Sequence, residues 1–373
     1  MLDASLRPGL LLLVILLTTL SPACARRAVA SGSSGAVGGD ENGTSPGPGG
    51  LLPRRDYRVS LKWIASPVTQ EAGQMPARGP GDYGRKLALG GKERYYEVHA
   101  PAGYEPGKPT PLVLVLHGGG GFATLMRHIT GLDEVADREG FLVLYAAGTH
   151  TDHSDRLLFW NTGHPTKDPR QAKVDDVAYF RAVLDDVSKF FSVDPRRVHA
   201  TGISNGGQMC YRLATELSDR IASIAPVAGQ ATADEFSGKP ARAVPVMHFH
   251  GLKDEFAPYA GGVLGGGSKR GGKSVFEPYP FKPVPEVIRS WAAHNGCAEE
   301  PAELRVGKGV RQEYSGGQGG ADVVLWTLED GGHTWPGGES TRAERRSGAG
   351  DVSKAVKASK AMWRFFSTHP MRP

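Results

Sequence analysis

The stretch Val198-His199-Ala200-Thr201-Gly202-Ile203-Ser204-Asn205-Gly206-Gly207-Gln208-Met209 determines how the rest of the chain is interpreted. A β-branched run leads into Gly-Ile-Ser-Asn-Gly, and a helical pattern follows in which Met209, Leu213 and Leu217 share one face. Strand, tight turn and helix form the context in which a G-x-S-x-G motif carries a nucleophile. Such a turn strains its serine and presents the Oγ beside the N–H groups of a helix N-terminus. The sequence therefore indicates a nucleophilic Ser204; the alternative is a surface serine in a glycine-rich turn.

Strand patterns alternate with helical patterns on both sides of this motif. The candidate strands, all short apolar or β-branched runs, are 85–89, 95–100, 112–116, 142–145, 198–202, 222–227, 244–249 and 323–328. The strongest helical pattern covers 174–191, where apolar residues recur every three or four positions. The first two strands, joined through Gly90-Gly91, indicate an antiparallel hairpin. We predict an α/β fold with a mostly parallel sheet, an antiparallel N-terminal hairpin and helices on both faces.

Residues 1–25 have the pattern of a signal peptide. Arg7 precedes an apolar run that is too short to span a membrane comfortably, and Ala23-Cys24-Ala25 supplies the small residues of a cleavage site. We expect cleavage directly after this tripeptide and export to the periplasm or the medium, with no transmembrane segment left after processing. Lipid anchoring through Cys24 is the less favoured alternative, because Ser21-Pro22-Ala23 matches a lipobox poorly.

The rest of the chain divides into a linker and one large domain. Residues 26–80 are rich in Gly, Ser and Pro and are predicted to be a disordered linker, although 57–64 could add an edge strand. Residues 81–373 form the predicted catalytic domain. The net charge of +5 is spread without a concentrated basic stripe, so nucleic acid is not an expected partner. The sequence leaves open the oligomeric state, and whether Cys210 and Cys297 form a disulfide or stay free thiols.

Asp254 is the predicted acid of a catalytic triad. In α/β-hydrolases the chain order is nucleophile, acid and histidine, so the acid is sought at a strand end after Ser204. Asp254 comes in the turn after a buried strand, at the expected edge of the sheet. Its rivals are Glu255, the next residue, Asp322, which opens a strand at the wrong end, and Asp330, which is too near the candidate base.

His333 is the predicted base. A serine hydroxyl needs a base to take its proton, and that base needs a third group to orient it. His333 follows the last strand, 323–328, and the glycines before it allow the loop to bend back over the sheet edge. His294 lies in a helical pattern and His369 lies in the tail, so neither competes well.

The loop His117-Gly118-Gly119-Gly120-Gly121 is a candidate oxyanion hole. It follows a buried strand, and its bare backbone can turn N–H groups towards one point. We expect one donor from Gly119 or Gly120 and the second from the backbone of Asn205, beside the nucleophile. The alternative is a flexible turn, and His117 itself is interpreted as structural.

His248 and His250 share one face of their strand, because they are two residues apart. A metal site is one interpretation, but no second cluster of ligands accompanies them. We favour packed, hydrogen-bonded histidines near the site, and we expect neither a metal nor a cofactor.

Four motifs in this order resemble the secreted polyhydroxybutyrate depolymerase and feruloyl esterase-like group of α/β-hydrolases. They are the glycine loop 117–121, the serine motif 202–207, His250-Gly251 with Asp254, and Gly332-His333-Thr334-Trp335-Pro336-Gly337. Supporting stretches, which extend the resemblance over roughly 85–370, are Phe159-Trp160-Asn161, Asp175-Asp176-Val177-Ala178-Tyr179, Asp194-Pro195-Arg196-Arg197-Val198, Ala225-Pro226-Val227-Ala228-Gly229 and Met362-Trp363-Arg364-Phe365-Phe366.

The resemblance implies Ser204, Asp254 and His333 as nucleophile, acid and base, with Trp160 and Trp335 beside the substrate cleft. It implies a secreted serine esterase that acts on hydroxybutyrate or hydroxyalkanoate oligomers, or on feruloyl or acetyl esters of plant polysaccharide. The substrate is an ester, which can be polymeric. The alternatives are a serine peptidase of the same fold and a non-catalytic exported binding protein.

Overall fold

The computed structural model describes most of the chain beyond the N-terminal region. The described residues are 62–64, 78–149, 158–164, 173–230, 240–263, 269–270, 273–274, 280–341, 345 and 348–372. All belong to the second of two compact units, Gly50–Pro373. The predicted signal peptide at 1–25 and most of the predicted linker at 26–80 lie outside the described residues. Among the described helices, none is long and apolar enough to cross a membrane.

The central strands are runs of apolar residues that are buried on both faces of one large sheet. In chain order the described strands are β1 Lys62–Ile64, β2 Gly81–Leu89, β3 Lys92–Ala100, β4 Thr110–Leu116, β5 Leu142–Ala146, β6 Val193–Ile203, β7 Ser223–Val227, β8 Val246–Gly251, β9 Gly262–Val263, β10 Lys269–Arg270, β11 Lys273–Ser274, β12 Pro280–Phe281, β13 Ala302–Val306, β14 Gly309–Tyr314 and β15 Val323–Leu328. Within the described part of the chain, 11 of them form a sheet in the order β1-β2-β3-β5-β4-β6-β7-β8-β15-β14-β13.

The middle of this sheet is parallel and its flanks are antiparallel. Neighbours from β5 through β4, β6, β7 and β8 to β15 are parallel. The pairs β2–β3, β3–β5, β13–β14 and β14–β15 are antiparallel. The predicted mostly parallel sheet and N-terminal hairpin are confirmed. β1 runs parallel to β2, with Lys62 opposite Tyr83, so an edge strand is present at the end of 57–64.

Helices cover both faces of the sheet. In the described part of the chain, the α-helices are α1 Ala123–Thr130, α2 Leu132–Glu139, α3 Asp176–Val187, α4 Asn205–Glu216, α5 Val284–Asn295 and α6 Ala358–Thr368. In β4, Leu112, Leu114 and Leu116 pack in one core with side chains of α3, α4 and α5. The alternating residues Val113 and Val115 pack in a second core with α1, α2 and α6. Since successive strand residues point to opposite faces, the continuous apolar run at β4 is explained by burial on both sides.

Two element boundaries differ from the predicted ones because side chains bond to the backbone there. β8 begins later than predicted, since the Asn295 side chain accepts the N–H of Val244 at 3.2 Å and donates to its carbonyl at 2.8 Å. α3 begins after Asp175, whose carboxylate accepts the N–H of Ala178 at 2.9 Å as an N-cap. Neither bond follows from the hydrophobic pattern alone.

Both cysteines that remain beyond the predicted signal peptide are free thiols. Cys210 is buried in α4, and Cys297 is half-buried after α5. The disulfide that the sequence left open is therefore not formed. Burial raises the pKa of the Cys210 thiol, which keeps it protonated and inert at neutral pH.

Candidate active site

Ser204 occupies a sharp turn between β6 and α4. Its φ is 57° and its ψ is −122°, a backbone conformation that a residue with a side chain rarely adopts. The Ser204 N–H donates to the carbonyl of Val227 in the next strand at 2.9 Å, and the N–H of Gln208 donates to the Ser204 carbonyl at 2.9 Å. Strand β7 and the first turn of α4 thus hold the serine in its strained position, as expected for this motif.

The glycines around Ser204 are needed because other backbone segments approach closely. A Cβ on Gly202 would lie 2.6 Å from the carbonyl oxygen of Leu116 in β4. A Cβ on Gly206 would collide with the same oxygen, and one on Gly229 would collide with the Ser204 carbonyl. These contacts are to backbone atoms, which cannot move aside cheaply.

The sheet brings Asp254 and His333 to the edge where Ser204 lies. Ser204 follows β6, Asp254 follows β8 and His333 follows β15, and these strands are parallel neighbours through β7. The carboxyl ends of parallel strands meet at one edge. His333 Nδ1 lies 2.8 Å from Asp254 Oδ2. The two residues predicted as acid and base, 79 positions apart, are therefore hydrogen-bonded to each other.

Asp254 is an ionised carboxylate held by backbone donors. Its Oδ1 accepts the N–H groups of Phe256 at 3.0 Å and Ala257 at 2.7 Å. Burial raises the pKa of Asp254, but the interaction with His333 and the hydrogen bonds outweigh it, so the pKa lies below its ordinary value. Because an ionised carboxylate only accepts, His333 Nδ1 donates and the neutral ring keeps Nε2 as its acceptor. That is the tautomer a general base needs.

The loop that carries His333 folds tightly back onto the sheet edge. The His333 N–H donates to the carbonyl of Ala349 at 2.6 Å, and the Gly332 N–H donates to the carbonyl of Asp351 at 2.9 Å. A Cβ on Gly332 would collide with Ala349, and one on Gly331 would lie 3.4 Å from the Cα of Gly251. The glycines before His333 therefore permit the predicted bend.

The glycine loop after β4 lies against the nucleophile turn. A Cβ on Gly118 would lie 3.5 Å from the Cβ of Ser204, and one on Gly119 would lie 3.7 Å from the Cβ of Asn205. The Gly120 N–H donates to the carbonyl of Leu158 at 2.8 Å. Of the two loop donors considered from the sequence, Gly120 is therefore engaged elsewhere, and Gly119 stands beside Asn205.

His117 holds this loop in place, in line with its predicted structural role. Its Nε2 accepts the N–H of Gly148 at 2.9 Å, so its Nδ1 carries the proton and donates to the carbonyl of Gly118 at 2.8 Å. Burial lowers the pKa of His117 to about 4. The ring thus stays neutral and serves as a fixed bridge between two loops.

Trp160 and Trp335, expected beside the substrate cleft, have indole rings that lie in the interior and support loops of the site. Each is only 2% exposed, because its indole lies in one of the two cores. Trp160 Nε1 donates to the carbonyl of His117 at 2.9 Å, and Trp335 Nε1 donates to Ser359 Oγ at 3.0 Å. Their rings pin the glycine loop and the His333 loop to the body of the protein.

His248 and His250 are packed and hydrogen-bonded, as favoured from the sequence. The Tyr211 hydroxyl lies 2.8 Å from His248 Nδ1, and His248 Nε2 lies 3.0 Å from His250 Nδ1. His250 Nε2 lies 2.7 Å from the carbonyl of Ala257. Every ring nitrogen of the pair is thus engaged by a protein group.

Two aromatic residues near the site, Phe159 and Phe256, were not predicted from the sequence as site residues. Phe159 is half-buried, and its ring lies 2.9 Å from where a Cβ of Gly119 would be. Phe256 is half-buried, with its ring centroid 5.4 Å from that of His333. Each lies within two residues of a motif residue, which was the available signal. Together they place apolar surface beside the glycine loop and beside His333.

Comparisons with known proteins agree with this architecture. The family model described as esterase PHB depolymerase matches residues 95–257. The chain is 33% identical over 264 residues to a putative esterase, NocK, of Nocardia uniformis subsp. tsuyamanensis. The matched region covers 68% of this chain and 74% of that protein. It is 29% identical over 241 residues to feruloyl esterase B of Piromyces equi, covering 63% of this chain and 42% of that protein.

A solved structure shows the same fold at low sequence identity. The crystal structure of native pOPH matches with a TM-score of 0.50 and 13% identity, over 81% of this chain and 90% of that one. The sheet order, the serine turn and the relatives together place the protein. The chain belongs to the esterase PHB depolymerase family of α/β-hydrolases and is a carboxylic ester hydrolase.

Proposed function

We propose that this esterase works through Ser204 as nucleophile, His333 as general base and Asp254 as the acid that orients the base. The observation that carries the proposal is the 2.8 Å hydrogen bond between His333 Nδ1 and Asp254 Oδ2 at the sheet edge that also carries Ser204. The strained backbone of Ser204 supports it, since a non-glycine residue at φ 57° needs a reason to be held there.

The proposed reaction is acyl transfer in two stages. His333 Nε2 takes the proton of the Ser204 hydroxyl while Oγ bonds to the ester carbonyl carbon, and the carbonyl oxygen becomes an oxyanion. The protonated Nε2 then gives its proton to the alcohol oxygen as the ester C–O bond breaks. Water, deprotonated by the same nitrogen, attacks the acyl-serine, and the acid leaves as Oγ recovers the proton. Asp254 stabilises the imidazolium in both stages.

We propose the N–H groups of Gly119 and Asn205 as the oxyanion donors. Asn205 opens α4, whose N-terminus favours negative charge. Gly119 lies beside Asn205, whereas the Gly120 N–H already donates to Leu158. Two backbone donors fixed by surrounding hydrogen bonds need no reorganisation when the charge develops.

The proposed substrates are hydroxyalkanoate oligomers and feruloyl or acetyl esters. The family description and the feruloyl esterase relative support this choice. Phe159 and Phe256 support an apolar or aromatic acyl group, because their half-buried rings lie beside the glycine loop and beside His333. Purified protein incubated with hydroxybutyrate oligomers, acetylated xylan and methyl ferulate should release acid from at least one of them.

Export is a further part of the proposal. It is supported by the signal-peptide pattern of residues 1–25. We expect the exported protein to begin at Arg26, as determined by mass spectrometry of its N-terminal peptide. A diacylglycerol group on Cys24 would instead establish the lipid-anchored alternative.

The proposed chemistry is tested with a fluorophosphonate probe. The wild-type protein should be labelled on Ser204, and Ser204→Ala should lose both labelling and turnover while keeping its fold. Absence of labelling in the folded wild-type protein would contradict Ser204 as the nucleophile. Hydrolysis of p-nitrophenyl acetate and methyl ferulate, compared with peptide anilides, measures how strongly the site prefers esters over amides.

A further inference from the structure

A chain of hydrogen bonds links the nucleophile helix to the Asp254 turn. It begins at Tyr211 in α4, passes through His248 and His250 in β8, and ends at the carbonyl of Ala257, with distances of 2.8, 3.0 and 2.7 Å. The three side chains are each 1% exposed. Tyr211 stacks on His248, and the two histidine rings stack on each other with centroids 5.3 Å apart.

The Ala257 carbonyl at the end of this series of hydrogen bonds determines which atom donates in each bond. A carbonyl oxygen only accepts, so His250 Nε2 donates to Ala257. His250 Nδ1 must then accept from His248 Nε2, and His248 Nδ1 must accept from the Tyr211 hydroxyl. Burial lowers the pKa of both histidines, which favours neutral rings. One arrangement of protons therefore satisfies all three bonds.

The series of hydrogen bonds ends at Ala257, in the turn that positions Asp254. The Ala257 N–H donates to Asp254 Oδ1 at 2.7 Å, while the Ala257 carbonyl accepts from His250. His250 Nε2 also lies 3.5 Å from Asp254 Oδ2, the oxygen that accepts from His333. A shift of His250 would therefore disturb the surroundings of both Asp254 oxygens, through Ala257 and across the 3.5 Å contact.

We propose that Tyr211, His248 and His250 are positioning residues of the active site, which hold the Asp254 turn in register with the helix that begins at Ser204. This inference rests on the proposed function of Ser204, Asp254 and His333. None of the three residues needs to touch substrate. Their effect acts through Asp254, because a hydrogen bond weakens steeply when its geometry is disturbed.

Two substitutions of His250 separate positioning from simple packing. In His250→Gln the side-chain amide reaches the Nε2 position and still donates to Ala257, although the link to His248 is lost. In His250→Asn the shorter amide matches Nδ1 and leaves the Ala257 carbonyl without this donor. We expect kcat on p-nitrophenyl acetate to fall by about 10- to 100-fold in His250→Asn at nearly unchanged KM, and to fall less in His250→Gln.

The matched control is His199→Gln in β6. His199 is also fully buried, bonds Ser223 Oγ at 2.8 Å and stacks on Phe366, so its loss perturbs a core without touching the Asp254 turn. We expect the folded His199→Gln protein to have the wild-type kcat. Equal losses of kcat in the control and in His250→Asn would contradict the inference.

Two spectroscopic readouts complete the test. The low-field proton resonance of the Asp254–His333 hydrogen bond should broaden or move in His250→Asn and in Tyr211→Phe. Tyr211→Phe removes only one oxygen, so it provides the test if His250→Asn does not fold. In the wild-type protein, nitrogen NMR should show both His248 and His250 protonated on Nε2. Either ring protonated on Nδ1 alone, or an unchanged resonance with unchanged kcat, would overturn the inference.

The failure of the two proposals can be distinguished. If the folded wild-type protein is not labelled by a fluorophosphonate, the proposed function fails. If the wild-type protein is labelled and turns over while His250→Asn and Tyr211→Phe keep its kcat, only the positioning role fails.

Discussion

The backbone of Trp160 and the side chain of Asn205 are joined by hydrogen bonds in both directions. The Trp160 N–H donates to Asn205 Oδ1 at 2.7 Å, and Asn205 Nδ2 donates to the Trp160 carbonyl at 3.2 Å. The residue next to the nucleophile is thereby fixed to the segment that packs on the glycine loop. We therefore expect the side chain of Asn205 to orient the backbone N–H that is proposed to bind the oxyanion.

The first prediction concerns Asn205→Ala. The variant keeps the backbone N–H but loses both bonds to Trp160, so kcat should fall by about 10- to 100-fold, less than for loss of the nucleophile. The free energy of unfolding should fall by about 1–3 kcal/mol, as expected for two lost hydrogen bonds. Steady-state kinetics and urea titration measure the two effects, and an unchanged kcat would show that the amide does not orient the N–H.

The second prediction concerns the acid. Asp254→Asn should retain the fold and lower kcat by roughly 10⁴-fold, because an amide favours the wrong tautomer of His333. The neighbouring Glu255→Gln is the matched control, since Glu255 is exposed and was the nearest rival in sequence. Turnover of p-nitrophenyl acetate should be normal in the control. If Glu255→Gln loses turnover and Asp254→Asn keeps it, Glu255 is the acid.

The third prediction concerns the close approach of β4 to the serine turn. A Cβ on Gly202 would lie 2.6 Å from the Leu116 carbonyl oxygen, so Gly202→Ala should lower the free energy of unfolding by about 1–3 kcal/mol or more. Gly103→Ala is the control, because a Cβ there meets no atom within 4 Å. Its stability should stay within about 0.5 kcal/mol of the wild-type value. Equal melting temperatures for the two variants would contradict the packing argument.

The fourth prediction concerns acid stability. Burial lowers the pKa of His117 to about 4 and that of His199 to about 3, and it also lowers those of His248 and His250. Below the ordinary histidine pKa of about 6.5, the unfolded chain binds protons that the folded protein does not. Stability should therefore be present above this pH and be lost progressively as the pH falls from about 6.5 towards 4.

Urea titrations between pH 7 and pH 4.5 measure that fall directly. His99 works in the opposite direction: the nearby carboxylates of Asp82, Asp133 and Asp137 outweigh burial and raise its pKa. Its contribution is lost only as the pH rises and is complete below about pH 6.5, so it stays constant there while the buried histidines lose theirs. A free energy of unfolding that stays constant or increases as the pH falls would contradict buried neutral histidines.

The sequence predicted the features that depend on order and on local chemistry. The sequence predicts Ser204, Asp254 and His333 as site residues because each comes at the end of a strand and in the chain order of the fold. β4 was predicted as a strand buried on both faces because its residues are continuously apolar. These features are visible in the sequence because each depends on residues within a short segment.

The features that the sequence did not reveal depend on partners distant along the chain. Gly120 could not be separated from Gly119, because its N–H bonds to Leu158 in another loop. The partners of the Trp160 and Trp335 indole nitrogens, His117 and Ser359, also do not follow from a local sequence pattern. The direction of the bonds through His248 and His250 depends on a carbonyl that no sequence pattern marks.

The most direct test of the central claim is to trap the acyl-enzyme. Protein mixed with p-nitrophenyl acetate and quenched in acid within the first turnover is digested, and the peptides are analysed by mass spectrometry. We expect the acetyl group on the peptide that contains Ser204, with less of it in Asp254→Asn at the same quench time. Rapid release of p-nitrophenol with no acetyl on Ser204, or with acetyl on another residue, would contradict Ser204 as the nucleophile.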